Sequence, residues 1–359
     1  MRLVWFTGNA KGGVYQFAAK LHETAIGLGH ESYLIAPDDS ALHVTNGIPF
    51  KLSGHYAKVS EIRRLSRLIE DLVPDFVMFA DDPLTSLRVL NRINSRGRLK
   101  TMQFVHDVSP HTTNAGLRQL IRARATQYLR EKAMESSTKI VLMSKNSIEE
   151  FKYRYNRHAN KGALFPLGAH VLTEEAKCPP ELGIDMPYLL FFGRIDKYKG
   201  IARLLRAWSR CNHVGTKLLI AGSGTFSNEE KALIEASEDL SIINRFIDDE
   251  EMNYLASNAC AVILPYTDAT QSGVIPISYH HGTCVIATDI PGLNEYVVND
   301  VTGYLAASED DLVSSIQRII DHPDIAEAMG ANAHSYALER LDWAKNLSSL
   351  LCDANTERA

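Results

Sequence analysis

No stretch of this sequence approaches the roughly 20 consecutive apolar residues that a membrane helix needs, so a spanning protein is not expected. Cysteine is scarce: Cys178, Cys211, Cys260, Cys284 and Cys352 are odd in number, far apart and never arranged as CxxC. That indicates neither a disulfide framework nor a zinc site. Basic charge is not in excess, with 38 Lys and Arg against 43 Asp and Glu and a formal net charge of −5, so nucleic acid is not expected as a partner. No Asp-x-Asp occurs, which leaves no paired aspartates to hold a metal on a diphosphate, and no metal site is assigned. The opening "MRLVWFTGNAKGG" has too short an apolar run for a signal peptide. A reduced, cytoplasmic protein without a cofactor is the expectation.

What is present is a long alternation. Its 359 residues, 45% hydrophobic and 23% charged, favour two domains with substantial cores. Short apolar runs, "RLVWF" (2–6), "SYLIAP" (32–37), "DFVMFA" (75–80), "TMQFVHD" (101–107) and "KIVLMS" (139–144), alternate with amphipathic segments. One such segment spaces Phe17, Leu21 and Ala25 four apart and stops at Gly27 or Gly29. Near-continuous apolar strands, each followed by a helix, predict a parallel sheet covered on both faces. The polar stretch 170–187, with two adjacent prolines, reads as a linker. Beyond it the pattern restarts with "YLLFFGR" (188–194), "KLLIAG" (217–222), "IINRFI" (242–247), "AVILPY" (261–266) and "CVIAT" (284–288). The fold expected is α/β, with two doubly wound halves whose ligands sit at the carboxyl ends of the strands.

The informative residues fall at those ends. Gly12 and Gly13 open the first helix and serve either a tight turn or a ligand that approaches the backbone. His106 closes the fourth run, where a histidine either satisfies a turn or reaches a ligand. In "FGRIDKYKG", Gly193, Arg194 and Lys199 follow a buried strand directly. Arginine offers a planar fork and lysine a point charge, and bound phosphate is the best candidate for what they face. Gly222 ends another strand, as a turn or as a point of close approach. In "YTDATQSGVIPISYHHG" (266–282), Thr270, Gln271, Ser272 and Gly273 precede a helix starting near Val274, whose amides can face a second phosphate. His280 and His281 read as last-turn residues that complement the helix dipole, not as metal ligands.

These residues resemble a family. "FGRIDKYKG" is similar to the G-R-x4-K-G signature of retaining glycosyltransferases of the GT-B fold, family 4, the glycosyl transferases group 1. "KLLIAGSG", the run from "NRFIDDEE" to "GLNEYVV", and the closing "GYL" follow that family's order of elements. The resemblance is strong over 188–305 and looser before 170. It implies a GT-B protein: an acceptor-side domain over 1–170, a donor-side domain over 171–335, a cleft between them, and a helix over 336–359 crossing back. It implies that Arg194 and Lys199 bind the donor diphosphate, that Ser272, Gly273 and Val274 take the distal phosphate, and that Phe246 and Ile247 lie by the base. It also implies that His106 contacts the transferred sugar.

The sequence departs from the family at two glutamates separated by seven residues. The matching positions are Thr270 and Ser278, and Asp268 is close enough to replace one carboxylate. The implied reaction is retaining transfer from a UDP- or GDP-linked sugar to a saccharide or lipid-linked acceptor, in cell-surface polysaccharide or glycoconjugate synthesis. The alternative is a non-catalytic GT-B protein that binds a sugar nucleotide or assists a partner enzyme. A basic segment, 116–133, carries Arg118, Arg122, Arg124, Arg130 and Lys132 with Leu117, Leu120, Ile121 and Tyr128 on roughly one helical face. It fits either a peripheral contact at the inner membrane face or an ordinary helix packed on its own sheet.

Overall fold

The computed structural model describes all residues except 11, 38–42, 53–56, 82–83, 98, 107, 109–116, 170, 172, 184–185 and 357–359, and within 117–125 the side chain of Arg124 alone. The chain divides into two compact units: Met1–Pro166 with Trp343–Ala359, and Leu167–Asp342.

The first unit is built on β1 (Arg2–Phe6), α1 (Gly13–Gly27), β2 (Glu31–Pro37), β3 (Gly47–Phe50), α2 (Val59–Asp71), β4 (Phe76–Phe79) and α3 (Leu84–Asn94). β5 (Lys100–Val105), α4 (Leu117–Ser136), β6 (Lys139–Leu142), α5 (Lys145–Arg154) and β7 (Gly162–Leu164) complete the first pass. The sheet is parallel, in the order β3-β2-β1-β4-β5-β6-β7. β1, β4, β5 and β6 are almost wholly buried because helices cover both faces, which is why their sequences are continuous apolar runs instead of alternating ones. α2 shows the complement, burying Ile62, Leu65 and Ile69 on one stripe.

The second unit carries β8 (Tyr188–Phe192), α6 (Ile201–Trp208), β9 (Lys217–Ala221), α7 (Asn228–Glu235), β10 (Leu240–Ile243), α8 (Asp249–Ser257) and β11 (Ala261–Leu264). α9 (Val274–His280), β12 (Val285–Thr288), β13 (Gly303–Ala306), α10 (Glu309–Asp321) and α11 (Pro323–Arg340) follow. Its parallel sheet runs β10-β9-β8-β11-β12-β13, the strand order of the first unit without an outer seventh strand. In each sheet the order reverses beside the unit's first strand, between β1 and β4 and between β8 and β11. Crevices for ligands open at such points.

Several expectations change in detail. The stretch from 336 onward is not one helix: α11 ends at Arg340 within the second unit, and α12 (Trp343–Thr356) belongs to the first. α12 packs on α1, with Trp343 against Phe17 and Phe165 at ring-centroid distances of 5.6 and 5.8 Å. The 170–187 linker is pinned to the second unit. The Asn253 side chain donates to the carbonyls of Thr173 and Glu175, and Glu181 pairs with Arg245 at 2.7 Å. β10 ends at Ile243, so Asn244–Ile247 form a loop and not the end of a strand. In α4, Leu129 packs on the core and Ala133 and Met134 are buried, while Tyr128 is 58% exposed under the Lys132 ammonium. The side chains of Leu117, Arg118, Leu120, Ile121 and Arg122 lie outside the described set.

Candidate active site

In the second unit the strand-end loops lock together through bare backbone. After β8 the chain continues beside the extension of β9: Gly193 N donates to Ala221 O at 3.0 Å and Ile195 N to Ser223 O at 2.9 Å. A Cβ on Gly222 would lie 1.8 Å from the Gly193 carbonyl, and one on Gly224 would lie 2.3 Å from that of Ile195. Gly222 is therefore required by its neighbouring strand, whatever else lies against it.

A 3-10 turn over Lys197–Lys199 comes next, ending at Gly200 with φ 71°. There a Cβ would meet the Pro265 carbonyl at 2.0 Å, so only glycine lets this turn lie on the loop that follows β11. Thr267 closes the junction, giving its N–H to Tyr198 O at 2.8 Å.

This junction sets the position of Lys199. Its half-buried side chain holds the ammonium 3.8 Å from the Tyr266 ring centroid and 5.1 Å from that of Tyr198. Among the described residues it enters no salt bridge. Burial pulls its pKa below the usual lysine value, and the charge of Arg194 pushes the same way, against Tyr198 and Asp196. Arg194 itself is 70% exposed, its Nε 4.0 Å from an Asp196 oxygen. Arg194, Lys197 and Lys199 thus follow β8 together with Asp196, whose carboxylate lies at the limit of contact with Arg194.

α9 begins where the sequence places it. Gly273 caps it without a side-chain hydrogen bond, and Pro276 in its first turn has no N–H to offer. Ser272 is buried, and its Oγ accepts the Val274 N–H at 3.3 Å. Thr270 and Gln271 are half-buried and Asp268 is exposed. Ser278 is fully buried and its hydroxyl donates to Val274 O at 2.8 Å, within its own helix. Beyond β10, Arg245 is held by Glu181 and Glu251 through four contacts of 2.6–2.7 Å, and this leaves Phe246 64% exposed on a fixed loop. Ile247 beside it is half-buried.

His281 donates from Nε2 to the Asn253 amide oxygen at 3.0 Å, and burial lowers its pKa to about 4. His280 lies 3.2 Å from Glu174. Among the described residues no group of three His, Cys, Asp or Glu could hold a metal ion.

In the first unit, Gly12 has φ 80°, caps α1, and would meet nothing within 4 Å if it carried a Cβ; Gly13 begins the helix. His106 is half-buried, its Nε2 donating to Ala80 O at 2.8 Å and its ring edge-on to Phe17. The sequence reading missed Asp81. This buried carboxylate sits just past β4 and accepts from Thr7 Oγ1 (2.7 Å), Gly8 N (2.8 Å), Asn9 Nδ2 (2.7 Å) and Ser86 Oγ (2.5 Å). Burial raises its pKa and those four donors oppose the rise. The signal available was "ADDP", two acids directly after a buried strand. Tyr266 was also missed.

Two Rossmann-like units in one chain, each with its charged or glycine-bearing loops at a point where strand order reverses, define the GT-B class. The sucrose-phosphate synthase of Thermosynechococcus elongatus superposes with a TM-score of 0.78 at 17% identity, covering 99% of this chain and 100% of that one. HepE of Anabaena, in complex with UDP-glucose, gives 0.76 at 15% identity with the same coverage. Residues 186–322, which hold the loops described above after β8, β9, β10 and β11, match the family Glycosyl transferases group 1. A glycogen synthase of Mycobacterium tuberculosis is 29% identical over 165 residues, which are 43% of this chain and 39% of that protein. The chain thus matches well under half the length of that relative.

Proposed function

We propose that the protein is a retaining glycosyltransferase that moves a sugar from a UDP- or GDP-linked donor to an acceptor hydroxyl. The observation that carries this reading is the Lys199 ammonium, held on an aromatic ring beside Arg194, with no salt bridge among the described residues. A cation desolvated without a carboxylate costs free energy, which an anionic ligand recovers. The family match over 186–322 and the UDP-glucose bound by HepE support a nucleoside diphosphate as that anion.

In the proposed reaction the bond between the sugar and the diphosphate breaks. The acceptor oxygen attacks on the face that the diphosphate leaves, and the leaving phosphate takes the acceptor proton. Arg194 and Lys199 stabilise the charge that develops. The distal phosphate lies toward Ser272, Gly273 and Val274. Thr270 and Gln271 border it, Gly193 leaves the backbone bare beside it, and Asp268 replaces one of the family's two glutamates. Phe246 and Ile247 lie by the base. In the first unit, Gly12 and Gly13 are assigned to the donor and His106 to the transferred sugar. No metal or cofactor enters this scheme. The proposed acceptor is a saccharide or a lipid-linked group in surface polysaccharide or glycoconjugate synthesis, and the proposed setting is cytoplasmic, with α4 touching an anionic membrane. No helix among the described residues is long and apolar enough to cross a membrane.

Thermal unfolding with UDP, GDP and ADP tests the binding step. A ligand at 100 times its Kd adds about 2.7 kcal/mol of stability. One of the three is expected to raise the Tm of the wild type and to raise that of Lys199→Ala by clearly less, and no shift with any of them would remove the reading. One observation favours the non-catalytic alternative: the place matching the family's second glutamate is closed, because Ser278 is buried against its own helix. Slow hydrolysis of a bound sugar nucleotide without acceptor separates the two, since only the enzyme releases nucleoside diphosphate.

A further inference from the structure

A lysine that must present its charge to a ligand needs a partner that fixes the ammonium without cancelling it. A carboxylate fixes and cancels; the face of an aromatic ring fixes through its quadrupole and leaves the net charge intact. Around Lys199 the structure supplies rings. Its Nζ lies 3.8 Å from the centroid of Tyr266 and 5.1 Å from that of Tyr198, and the two rings meet edge to face at 6.2 Å.

Tyr266 is the better placed of the two. It is 1% exposed, directly follows the Pro265 whose carbonyl excludes any side chain at position 200, and therefore cannot swing away. Its hydroxyl receives the Ser272 hydroxyl at 3.5 Å, and Ser272 in turn accepts the Val274 N–H at 3.3 Å. One buried side chain thus touches both the cation after β8 and the residue that precedes α9.

We propose that Tyr266 is a positioning residue for the diphosphate, its ring face holding the Lys199 ammonium in place while leaving it charged. This rests on the diphosphate reading above. Tyr266 touches no donor atom in this scheme and acts only through Lys199. The lowered pKa of Lys199, caused chiefly by burial, agrees with an ammonium that has given up water for the ring.

The test varies the electron density of the ring at nearly constant shape. Tyr266→Phe keeps the ring and is the reference; mono-, di- and trifluorinated phenylalanine at 266 then drain its face stepwise. Kd is measured by calorimetry with UDP, ADP and GDP, in the wild-type background and with Lys199→Ala. The expected result is a graded loss reaching roughly 3- to 30-fold across the series. With Lys199→Ala the series becomes flat, while Tm stays level throughout. A flat series in the wild-type background, or an equal slope in both backgrounds, overturns the role of Tyr266. If none of the three nucleotides binds the wild type, or Lys199→Ala binds them unchanged, the diphosphate reading itself fails.

Discussion

Gly200 and Gly12 both have positive φ, 71° and 80°, but Gly200 is left-handed helical at ψ 29° whereas Gly12, at ψ −175°, is in an extended region nearly reserved for glycine, and their surroundings differ as well. A methyl group on Gly200 would sit 2.0 Å from the Pro265 carbonyl, whereas one on Gly12 meets open space. Gly200→Ala is therefore expected to lose at least about 2 kcal/mol, from backbone strain plus a clash that neither strand end can relieve. Gly12→Ala is expected to lose about 1–3 kcal/mol, from backbone strain alone. Urea midpoints check both, and a Gly200→Ala loss below about 1 kcal/mol would contradict the contact assigned to Gly200. At this scale the sequence was legible where a residue type has few uses. Two cations after a buried strand announced themselves as Arg194 and Lys199. Tyr266 did not, because an aromatic residue after a strand reads as core, and its ring face toward Lys199 is a tertiary fact. Asp81 was hidden for the same reason, since its donors come from the end of β1 and from α3. Ser278 was assigned by counting along the chain, and the turn of α9 carries that position inward.

Among the elements, α9 offers a pH signature. His281 follows its last turn and stays neutral, with its pKa lowered to about 4 by burial and by the charges of neighbouring histidines. A folded-state pKa below the unfolded value means that the unfolded chain binds more protons between them. The stabilisation is whole above about pH 6.5 and declines as pH falls toward 4. With the ring partly open to solvent, the loss is of order 1–2 kcal/mol. His281→Gln is expected to flatten the fall in urea midpoint between pH 7 and pH 5, and a parallel curve would place the acid sensitivity elsewhere.

The buried central strands were legible as apolar runs. β3 and β7 were not, being edge strands of four and three residues. β3 is "GIPF", and a proline cannot donate to the ladder, so it fits only at a sheet margin. β10 read too long, because Phe246 continues the apolar run of "IINRFI" while the backbone has already left the sheet.

For the molecule as a whole, the two sheets repeat one strand order, and that repetition was visible in the sequence as a pattern that pauses and restarts. The return of α12 to the first unit was legible only through the resemblance, because nothing local tells α11 from α12 apart from the break at Leu341 and Asp342. The proposed membrane contact also belongs to this scale. Vesicles containing anionic lipid are expected to sediment the protein at low salt, less so at high salt, and less so after charge reversal at Arg118, Arg122 and Arg124. No sedimentation at low salt would assign α4 to packing alone.

The central claim is that Arg194 and Lys199 stabilise a departing diphosphate. Release of nucleoside diphosphate from a panel of UDP- and GDP-sugars, followed in excess EDTA, tests it most directly. The wild type is expected to release it from at least one donor with the chelator present, since side-chain cations and α9 amides carry the charge. Arg194→Ala and Lys199→Ala are each expected to be slower by about 10²-fold. Release that requires added magnesium or manganese, or near-normal rates in both variants, would contradict the account.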